Sequence, residues 1–327
     1  YMEFRTPVEW HGESEEIKYS DHVLLMGSCF AENVGGLLLE NKFSCDVNPF
    51  GILYNPLSIA KALRQMLDGK VYTMDDLFDS GGQWHSWMHH SSFSSIDADE
   101  CLNRINSRLE KAASALPRTS WLVMTWGTAF AYEKDSEVVG NCHKQPDRFF
   151  TRRLLDVDTI CGEWNDTLRE AKQRFPGLKV MLSVSPIRHL KDGLHGNQIS
   201  KSVLLLAIDR LCRELDFCHY FPSYEIVMDE LRDYRFYAED MLHPSPLAVK
   251  YIWECFCSTY MSKDTQRVMK EWVDIQKGLA HRPFNPDSDA YRRFLSQIVL
   301  KIEELKEKFP YFEVQKELEQ CRTLLNT

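Results

Sequence analysis

The sequence lacks a long apolar run, a Cys-x-x-Cys pair and an excess of positive charge. No stretch approaches the roughly 18 apolar residues that a membrane-spanning helix needs, so we expect no span. The ten cysteines are scattered, which argues against a zinc ribbon or a thioredoxin-like redox motif. A net charge of −9 argues against nucleic acid or an anionic membrane as the main partner.

The first residues run into polar sequence without an apolar segment, so we expect no secretory signal peptide. Met2 fits a native start with Tyr1 added, and we therefore expect a cytoplasmic protein. The composition, 44% hydrophobic and 27% charged, is typical of a globular protein. A chain of 327 residues accommodates one large domain, or one domain with an appendage.

Short apolar runs alternate with helical patterns along most of the chain. The clearest predicted strands are residues 23–26, 121–126 and 179–184, and weaker strands are predicted at 43–47 and 217–221. Helices are predicted at 30–41, 56–67, 97–115, 156–175, 197–215 and 245–260. This alternation predicts an α/β fold in which helices cover both faces of a parallel sheet. Ligands of such sheets bind at the carboxyl ends of the strands.

Two segments break this alternation. Residues 71–95 contain Gly81-Gly82 and no clean period, which indicates an inserted loop or hairpin. Beyond about residue 264 the strand signal disappears and the sequence becomes charged and helical. We therefore predict an α/β domain over residues 1–264 and a helical appendage over 265–327, and these helices are where we expect any self-association.

Ser28 lies directly between a predicted buried strand and a predicted helix. A helix amino terminus offers unpaired N–H groups and a positive dipole end, which stabilise a developing oxyanion. Gly27 permits the tight turn that such a serine needs. The alternative is that Ser28 only caps the helix, because serine is a favoured N-cap residue. The nucleophile hypothesis therefore requires a base.

The candidate base is His243, three residues after Asp240. A carboxylate at this spacing can hold the imidazole in one tautomer and stabilise the imidazolium. The chain contains the spacing three times: Asp192 with His195, Asp216 with His219, and Asp240 with His243. The first pair falls in a predicted loop, and the second enters a predicted strand, where its side chains point to opposite faces. Only the third lies just before the last helix of the α/β pattern.

The residues Gly27-Ser28-Cys29-Phe30-Ala31 spell the signature of the GSCFA family, a branch of the SGNH (GDSL-like) hydrolases, which the sequence resembles over about residues 1–260. Similar segments occur at residues 48–51, 141–144, 183–189, 220–225 and 233–237. The resemblance implies a three-layer, flavodoxin-like α/β/α fold. It also implies that Ser28 is the nucleophile, His243 the general base and Asp240 its orienting carboxylate.

The oxyanion hole is where the sequence departs from this resemblance. SGNH enzymes use the nucleophile's own N–H, a glycine after the second strand, and an asparagine in a Gly-x-Asn motif after the third. Gly51 matches the glycine, but the third block reads Gly127-Thr128-Ala129, with alanine in place of asparagine. Besides Gly51 and Gly127, the candidates for the remaining donor are Thr128, Asn141 and His143.

Several side chains are candidates for the walls of a substrate pocket. Trp84, His85 and Trp87 would form a rim if the 71–95 segment closes over the site. Arg188 and His189 follow a predicted strand, and Arg235 lies in a segment near Asp240. A surface hairpin, a solvated arginine and a structural aromatic cluster are the respective alternatives.

A metal site is a second interpretation of the histidine-rich segment. Its candidate ligands are His85, His89, His90, Cys142 and His143. His85 and His89 would share a face only in a helix, and the Gly, Ser and Trp content argues against one. We therefore expect no metal and no other cofactor.

Two function classes remain open at the level of sequence. The first is an esterase or deacylase that acts through an acyl-enzyme on a small or carbohydrate ester. The second is a non-hydrolytic relative, either an acyltransferase or a ligand-binding module. The missing asparagine favours the second class, whereas the combination of Ser28, Asp240 and His243 favours the first.

Overall fold

A parallel sheet of five strands forms the centre of the fold. The computed structural model describes residues 5–9, 15–281, 283–284 and 288–326. In chain order the strands are β1 (His22–Gly27), β2 (Ser44–Val47), β3 (Leu77–Ser80), β4 (Gln83–Ser86), β5 (Thr119–Trp126), β6 (Phe130–Lys134), β7 (Glu137–Val139), β8 (Thr151–Leu154), β9 (Lys179–Val184) and β10 (Cys218–Tyr220). The central sheet has the order β10-β9-β5-β1-β2, with every pair parallel. This is the flavodoxin-like order.

Helices cover both faces of this sheet. They are α1 (Cys29–Glu40), α2 (Pro56–Leu67), α3 (Ala98–Ala115), α4 (Val157–Arg174), α5 (Gly193–Glu214), α6 (Ser223–Glu225), α7 (Pro246–Tyr260), α8 (Lys263–Ala280), α9 (Asp289–Lys308) and α10 (Gln315–Asn326). A π-helical segment, Ile226–Leu231, directly follows α6.

Side chains of β1 alternate between two buried clusters, as the pleat of a strand requires. Leu24 and Met26 pack with residues of α2, α3, α4 and α5 on one face. Val23 and Leu25 pack with residues of α1 and α7 on the other face. The predicted three-layer α/β fold is confirmed, because β1 is buried throughout and its side chains pack against helices on both faces of the sheet.

The C-terminal helices α8, α9 and α10 belong to the second cluster. Trp272 of α8 is fully buried, and its indole N–H donates to the carbonyl of Glu40 at the end of α1 (2.9 Å). Lys42 reaches Glu317 of α10 at 2.8 Å. The predicted helical appendage is therefore present, whereas the division of the chain at residue 264 stays a prediction. Among the described residues, no helix combines the length and apolar character needed to cross a membrane.

The segment expected to form a loop or hairpin contains the β3–β4 hairpin. Gly81 and Gly82 occupy its turn, both with positive φ, the conformation that a two-residue hairpin loop demands. A second small sheet, β7-β6-β8, was not expected from the sequence. Its turn uses Asp135 and Ser136 at positive φ instead of glycine, so the usual turn signal is missing.

Helix α5 starts earlier than the sequence predicts. It begins at Gly193 rather than at residue 197, so the segment taken for a loop around His195 is its first turn. Asp192 is the N-cap residue and is of a favoured type, but its side chain makes no capping hydrogen bond and binds Arg152 instead.

Candidate active site

Ser28 lies at the carboxyl end of β1 as the N-cap of α1. Gly27 before it has φ +138°, and a Cβ at this position would lie 2.1 Å from the carbonyl oxygen of Thr125. The backbone N–H of Gly27 donates to Asn48 Oδ1 at 2.9 Å. A glycine is thus required where the chain leaves β1, and this turn brings Ser28 against the carboxyl end of β5.

The hydroxyl of Ser28 is fully buried and already hydrogen-bonded. It accepts from the backbone N–H of Phe30 (3.2 Å) and lies 3.2 Å from Thr125 Oγ1. The backbone N–H of Ser28 donates to the Thr125 carbonyl at 3.1 Å. The helix-capping role that would by itself explain a serine is therefore present.

Asp240 and His243 form a close pair in the loop before α7. Asp240 Oδ2 lies 2.5 Å from His243 Nδ1. Its other oxygen accepts from the backbone N–H groups of Leu242 (2.9 Å) and His243 (3.0 Å). These backbone hydrogen bonds and the imidazole lower the pKa of Asp240 to about 2. The carboxylate is thus ionised at neutral pH and holds Nδ1–H of the imidazole, which leaves Nε2 for a reaction partner.

The loop after β9 supports this pair. The backbone N–H of Arg188 donates to the carbonyl of Leu242 (3.2 Å), and its guanidinium reaches the carbonyl of Met241 (3.3 Å). Pro244 lines a cavity together with Glu32, one helical turn from Ser28. His243 therefore belongs to the same end of the sheet as Ser28, although the hydrogen bonds found in the described part of the chain include none between them.

The backbone donors expected for an oxyanion hole are already engaged. The N–H of Gly51 donates to the Asn48 carbonyl (2.8 Å). The N–H groups of Gly127 and Thr128 both donate to the Tyr54 carbonyl, at 2.8 and 3.1 Å. With the Ser28 N–H bound to Thr125, all four must be released before they can stabilise an oxyanion.

The remaining candidate donors lie beyond these backbone groups. Thr128 Oγ1 pairs with Ser200 Oγ at 3.1 Å. Asn141 Oδ1 accepts from the backbone N–H of His143 (2.8 Å), and His143 Nε2 donates to the Ser86 carbonyl (2.8 Å). Asn141 borders a cavity, whereas the ring of His143 packs against those of His85 and Trp87.

The chain matches two models of known protein families. The model of the GSCFA family matches residues 22–256, which is more than half of the chain. The chain belongs to the GSCFA family. The model described as GSCFA domain protein, C-terminal domain, matches residues 272–327. A search of the curated proteins gives no match.

In this GSCFA chain a cavity of about 400 Å³ opens beside the loops that follow β5 and β9. Its walls include Tyr54, Thr128, Asn141 and His189. His189 Nε2 is buried, has no hydrogen-bond partner among the described residues, and lies 3.1 Å from the position that a Cβ on Gly127 would occupy. Thr128, Asn141 and His189 are thus the predicted site residues that this cavity brings together.

Other residues predicted for the pocket lie elsewhere. Trp87 stacks on Phe78 of the hairpin, with ring centroids 3.6 Å apart. Trp84 packs against the core, and His85 is bonded to Ser94 Oγ and the Ser80 carbonyl. Arg188 lies over the rings of Tyr234 and Tyr237, and Arg235 is 3.8 Å from Asp233.

The alternative metal ligands are likewise engaged in other contacts. His89 Nδ1 pairs with Ser86 Oγ (2.9 Å), and His90 Nδ1 lies 3.1 Å from Ser92 Oγ. Burial lowers the pKa of His89 to about 3. Among the described residues, no group of three or more His, Cys, Asp or Glu side chains is arranged to hold a metal ion.

Sequence reasoning missed two polar residues at this end of the sheet. Lys201 of α5 is 1% exposed, and its ammonium donates to the carbonyls of Gly127 and Ser185, each at 2.6 Å. Asn48 is also buried, and its Nδ2 has no hydrogen-bond partner among the described residues. A lysine in an amphipathic helix normally lies on the solvent-exposed face, so the sequence did not indicate that Lys201 is buried.

Proposed function

We propose that this chain is a serine hydrolase, an esterase or deacylase that acts through an acyl-enzyme on a small or carbohydrate ester. The nucleophile is Ser28, the general base is His243 and the orienting carboxylate is Asp240. The observation that carries the proposal is the 2.5 Å contact between Asp240 Oδ2 and His243 Nδ1, with the carboxylate fixed by two backbone N–H groups. Such an arrangement prepares Nε2 to accept a proton.

In this mechanism Ser28 Oγ attacks the carbonyl carbon of the ester while its proton passes to His243 Nε2. The tetrahedral intermediate collapses, and His243 returns the proton to the departing alcohol. Water then attacks the acyl-enzyme with His243 again as the base, releasing the acid and restoring Ser28. Because Ser28 Oγ is bonded to Thr125 and Phe30, its side chain must rotate before the first step.

A second function, an acyltransferase or a ligand-binding module on the same fold, has support from a specific observation. The N–H groups of Ser28, Gly51, Gly127 and Thr128 all donate to backbone carbonyls. A site that is closed around a fully buried serine disfavours attack by bulk water. A transferase would use the same three residues but deliver the acyl group to a bound alcohol or amine.

Labelling with a fluorophosphonate probe tests the nucleophile directly. We expect the wild type to be labelled, and Ser28→Ala and His243→Ala to lose labelling. Ser262→Ala is the matched control, because Ser262 also caps a helix but lies at the start of α8. An unlabelled wild type, or equal labelling of Ser28→Ala, would overturn the assignment.

Turnover then separates the two functions. A panel of aryl esters and acetylated sugars should release acid if the chain is a hydrolase. Labelling of Ser28 with acyl transfer to an added alcohol, and without net hydrolysis, would favour the transferase.

A further inference from the structure

The cavity bordered by Tyr54 and His189 is lined by aromatic and cationic side chains that ester hydrolysis by Ser28 does not itself require. Besides those two residues it is lined by the small sheet β6–β8, through Phe130, Tyr132 and Arg152. The side chain of Tyr54 also interacts with that of Cys29, the residue after Ser28. The cavity therefore lies within reach of a substrate that extends from Ser28 past Tyr54.

Arg152 is held rigidly in this wall. Its two terminal nitrogens bind both carboxylate oxygens of Asp192, and its guanidinium lies 4.1 Å from the ring centroid of Phe130 and 5.3 Å from that of Tyr132. Its Nε is buried and has no hydrogen-bond partner among the described residues. A buried N–H donor without an acceptor is costly, and a ligand acceptor would satisfy it.

A second unpartnered nitrogen borders the same space. His189 Nε2 is buried and has no acceptor or donor partner in the part of the chain that the structure describes. The backbone N–H of His189 is fixed by Asn197 Oδ1 at 2.9 Å, and its ring packs edge-on against that of Tyr54, with centroids 5.6 Å apart. Two anchored nitrogens of different residues thus remain available at one cavity.

The charge of the lining is opposite to that of the whole chain. Lys144, Arg152 and Lys191 contribute three cations, against two carboxylates, that of Asp147 in the lining and that of Asp192 on Arg152, so one positive charge remains in a protein of net charge −9. Lys191 lies 5.1 Å from the ring centroid of Tyr132, while its contact with the exposed Asp147 is long, at 3.4 Å. A local positive field in an acidic protein favours an anionic ligand group.

We propose that this cavity binds an anionic group of the substrate, which makes the substrate an ester that carries a carboxylate or a phosphate away from the scissile bond. Arg152 Nε and the Lys191 and Lys144 ammonium groups provide the donors, and the rings of Phe130 and Tyr132 pack on the apolar part beside the anion. This inference rests on the proposed function, because it assumes that the group is attached to the ester that Ser28 cleaves.

Matched substrates test the inference through turnover. Aryl hexanoate and the mono-aryl ester of adipic acid have acyl chains of equal length and differ in a terminal carboxylate. We expect wild type to prefer the adipate in kcat/KM, and Lys144→Met/Lys191→Met to lose about tenfold of that preference. Lys134→Met is the control, since Lys134 lies in the strand that carries Phe130 and Tyr132 but has its ammonium over Trp87. An equal preference in wild type and the double variant would overturn the inference.

Binding to Ser28→Ala gives a measurement that does not depend on turnover. Adipate and phenyl phosphate, compared with sodium chloride of equal ionic strength, should raise the thermal unfolding midpoint of Ser28→Ala. The rise should disappear when Arg152→Gln and Asp192→Asn are both introduced into Ser28→Ala. Asp192 is replaced as well so that its carboxylate is not left without its partner Arg152. The stronger of the two ligands identifies the anion.

The two measurements separate failure of the inference from failure of the proposed function. Anion binding without turnover of any ester would refute the hydrolase while the anion site stands. Turnover of both esters without anion binding or preference would refute the anion site while the hydrolase stands.

Discussion

The hydroxyl of Thr125 lies 3.2 Å from both the backbone nitrogen and the Oγ of Ser28. Thr125 is buried near the carboxyl end of β5, two residues before Gly127, and Ser28 has no exposed surface. A single side chain of a neighbouring strand therefore holds the hydroxyl of the candidate nucleophile in place. This contact makes the resting state of Ser28 a helix cap.

Removing this hydroxyl should make Ser28 more reactive. We expect Thr125→Val to increase the rate of fluorophosphonate labelling by about two- to tenfold, the equivalent of one hydrogen bond of about 0.5–1.5 kcal/mol. Thr125→Ser, which keeps the hydroxyl, should label at the wild-type rate. A slower rate in Thr125→Val than in Thr125→Ser would mean that Thr125 activates Ser28 instead of restraining it.

The second prediction concerns Asp240. In Asp240→Asn the amide can still accept the backbone N–H groups, but its nitrogen opposes Nδ1–H and favours the wrong imidazole tautomer. We expect the labelling rate to fall by about 100-fold or more, with thermal stability little changed because Asp240 is largely exposed.

Asp233→Asn is the matched control for that substitution. Asp233 also accepts a backbone N–H, from Arg235 at 2.8 Å, and is also exposed. Equal losses of labelling in the two variants would attribute the effect to the loop as a whole and would remove Asp240 from the mechanism.

The central fold could be predicted from the sequence because its signals are local. The three central strands β1, β5 and β9 are short apolar runs; β1 ends at Gly27, and β5 ends just before Gly127. The pair formed by Asp240 and His243 is also local, since three residues and a tight loop fix its geometry. Short apolar runs and closely spaced pairs can be recognised without knowing which distant segment of the chain they contact.

The cavity wall could not be predicted, because tertiary contacts create it. Strands β6, β7 and β8 have three to five residues each, too few to show a period. Arg152 and Asp192 are 40 residues apart, and nothing in either local sequence indicates their pairing. The buried position of Lys201 has the same origin, since α5 packs it against the ends of two strands.

Gly27 is a position that leaves no room for a side chain. In Gly27→Ala the new Cβ would meet the Thr125 carbonyl in a conformation that L side chains rarely adopt. We expect this variant to lose about 2–5 kcal/mol of unfolding free energy from strain and crowding, measured by urea denaturation.

Gly36→Ala provides the opposite outcome in the adjacent helix. Nothing lies within 4 Å of the position that its Cβ would take, so we expect a gain of about 0.5–1 kcal/mol from helix propensity. If Gly27→Ala proved as stable as Gly36→Ala, the tight turn before Ser28 would not exist as described.

His89 is the basis for a prediction about pH. Its ring is 1% exposed, stacks on Phe50 with centroids 4.6 Å apart, and is bonded to Ser86. Burial, together with the nearby His143, lowers its pKa from 6.5 to about 3. The folded protein therefore keeps His89 neutral at pH values where the unfolded chain protonates it.

The stability contributed by a neutral His89 should be lost as the pH falls from about 6.5 toward 3. The unfolded chain binds the proton first, so the free energy of unfolding drops by about 1.4 kcal/mol for each pH unit in this window. Urea denaturation of the wild type and His89→Gln at pH 7, 6, 5 and 4 should give a steeper slope for the wild type, whatever the loss of stability at pH 7. His195→Gln, at an exposed position in the first turn of α5, should keep the wild-type slope. Parallel slopes for the wild type and His89→Gln would mean that His89 takes up its proton in the folded protein, which its burial between aromatic rings argues against.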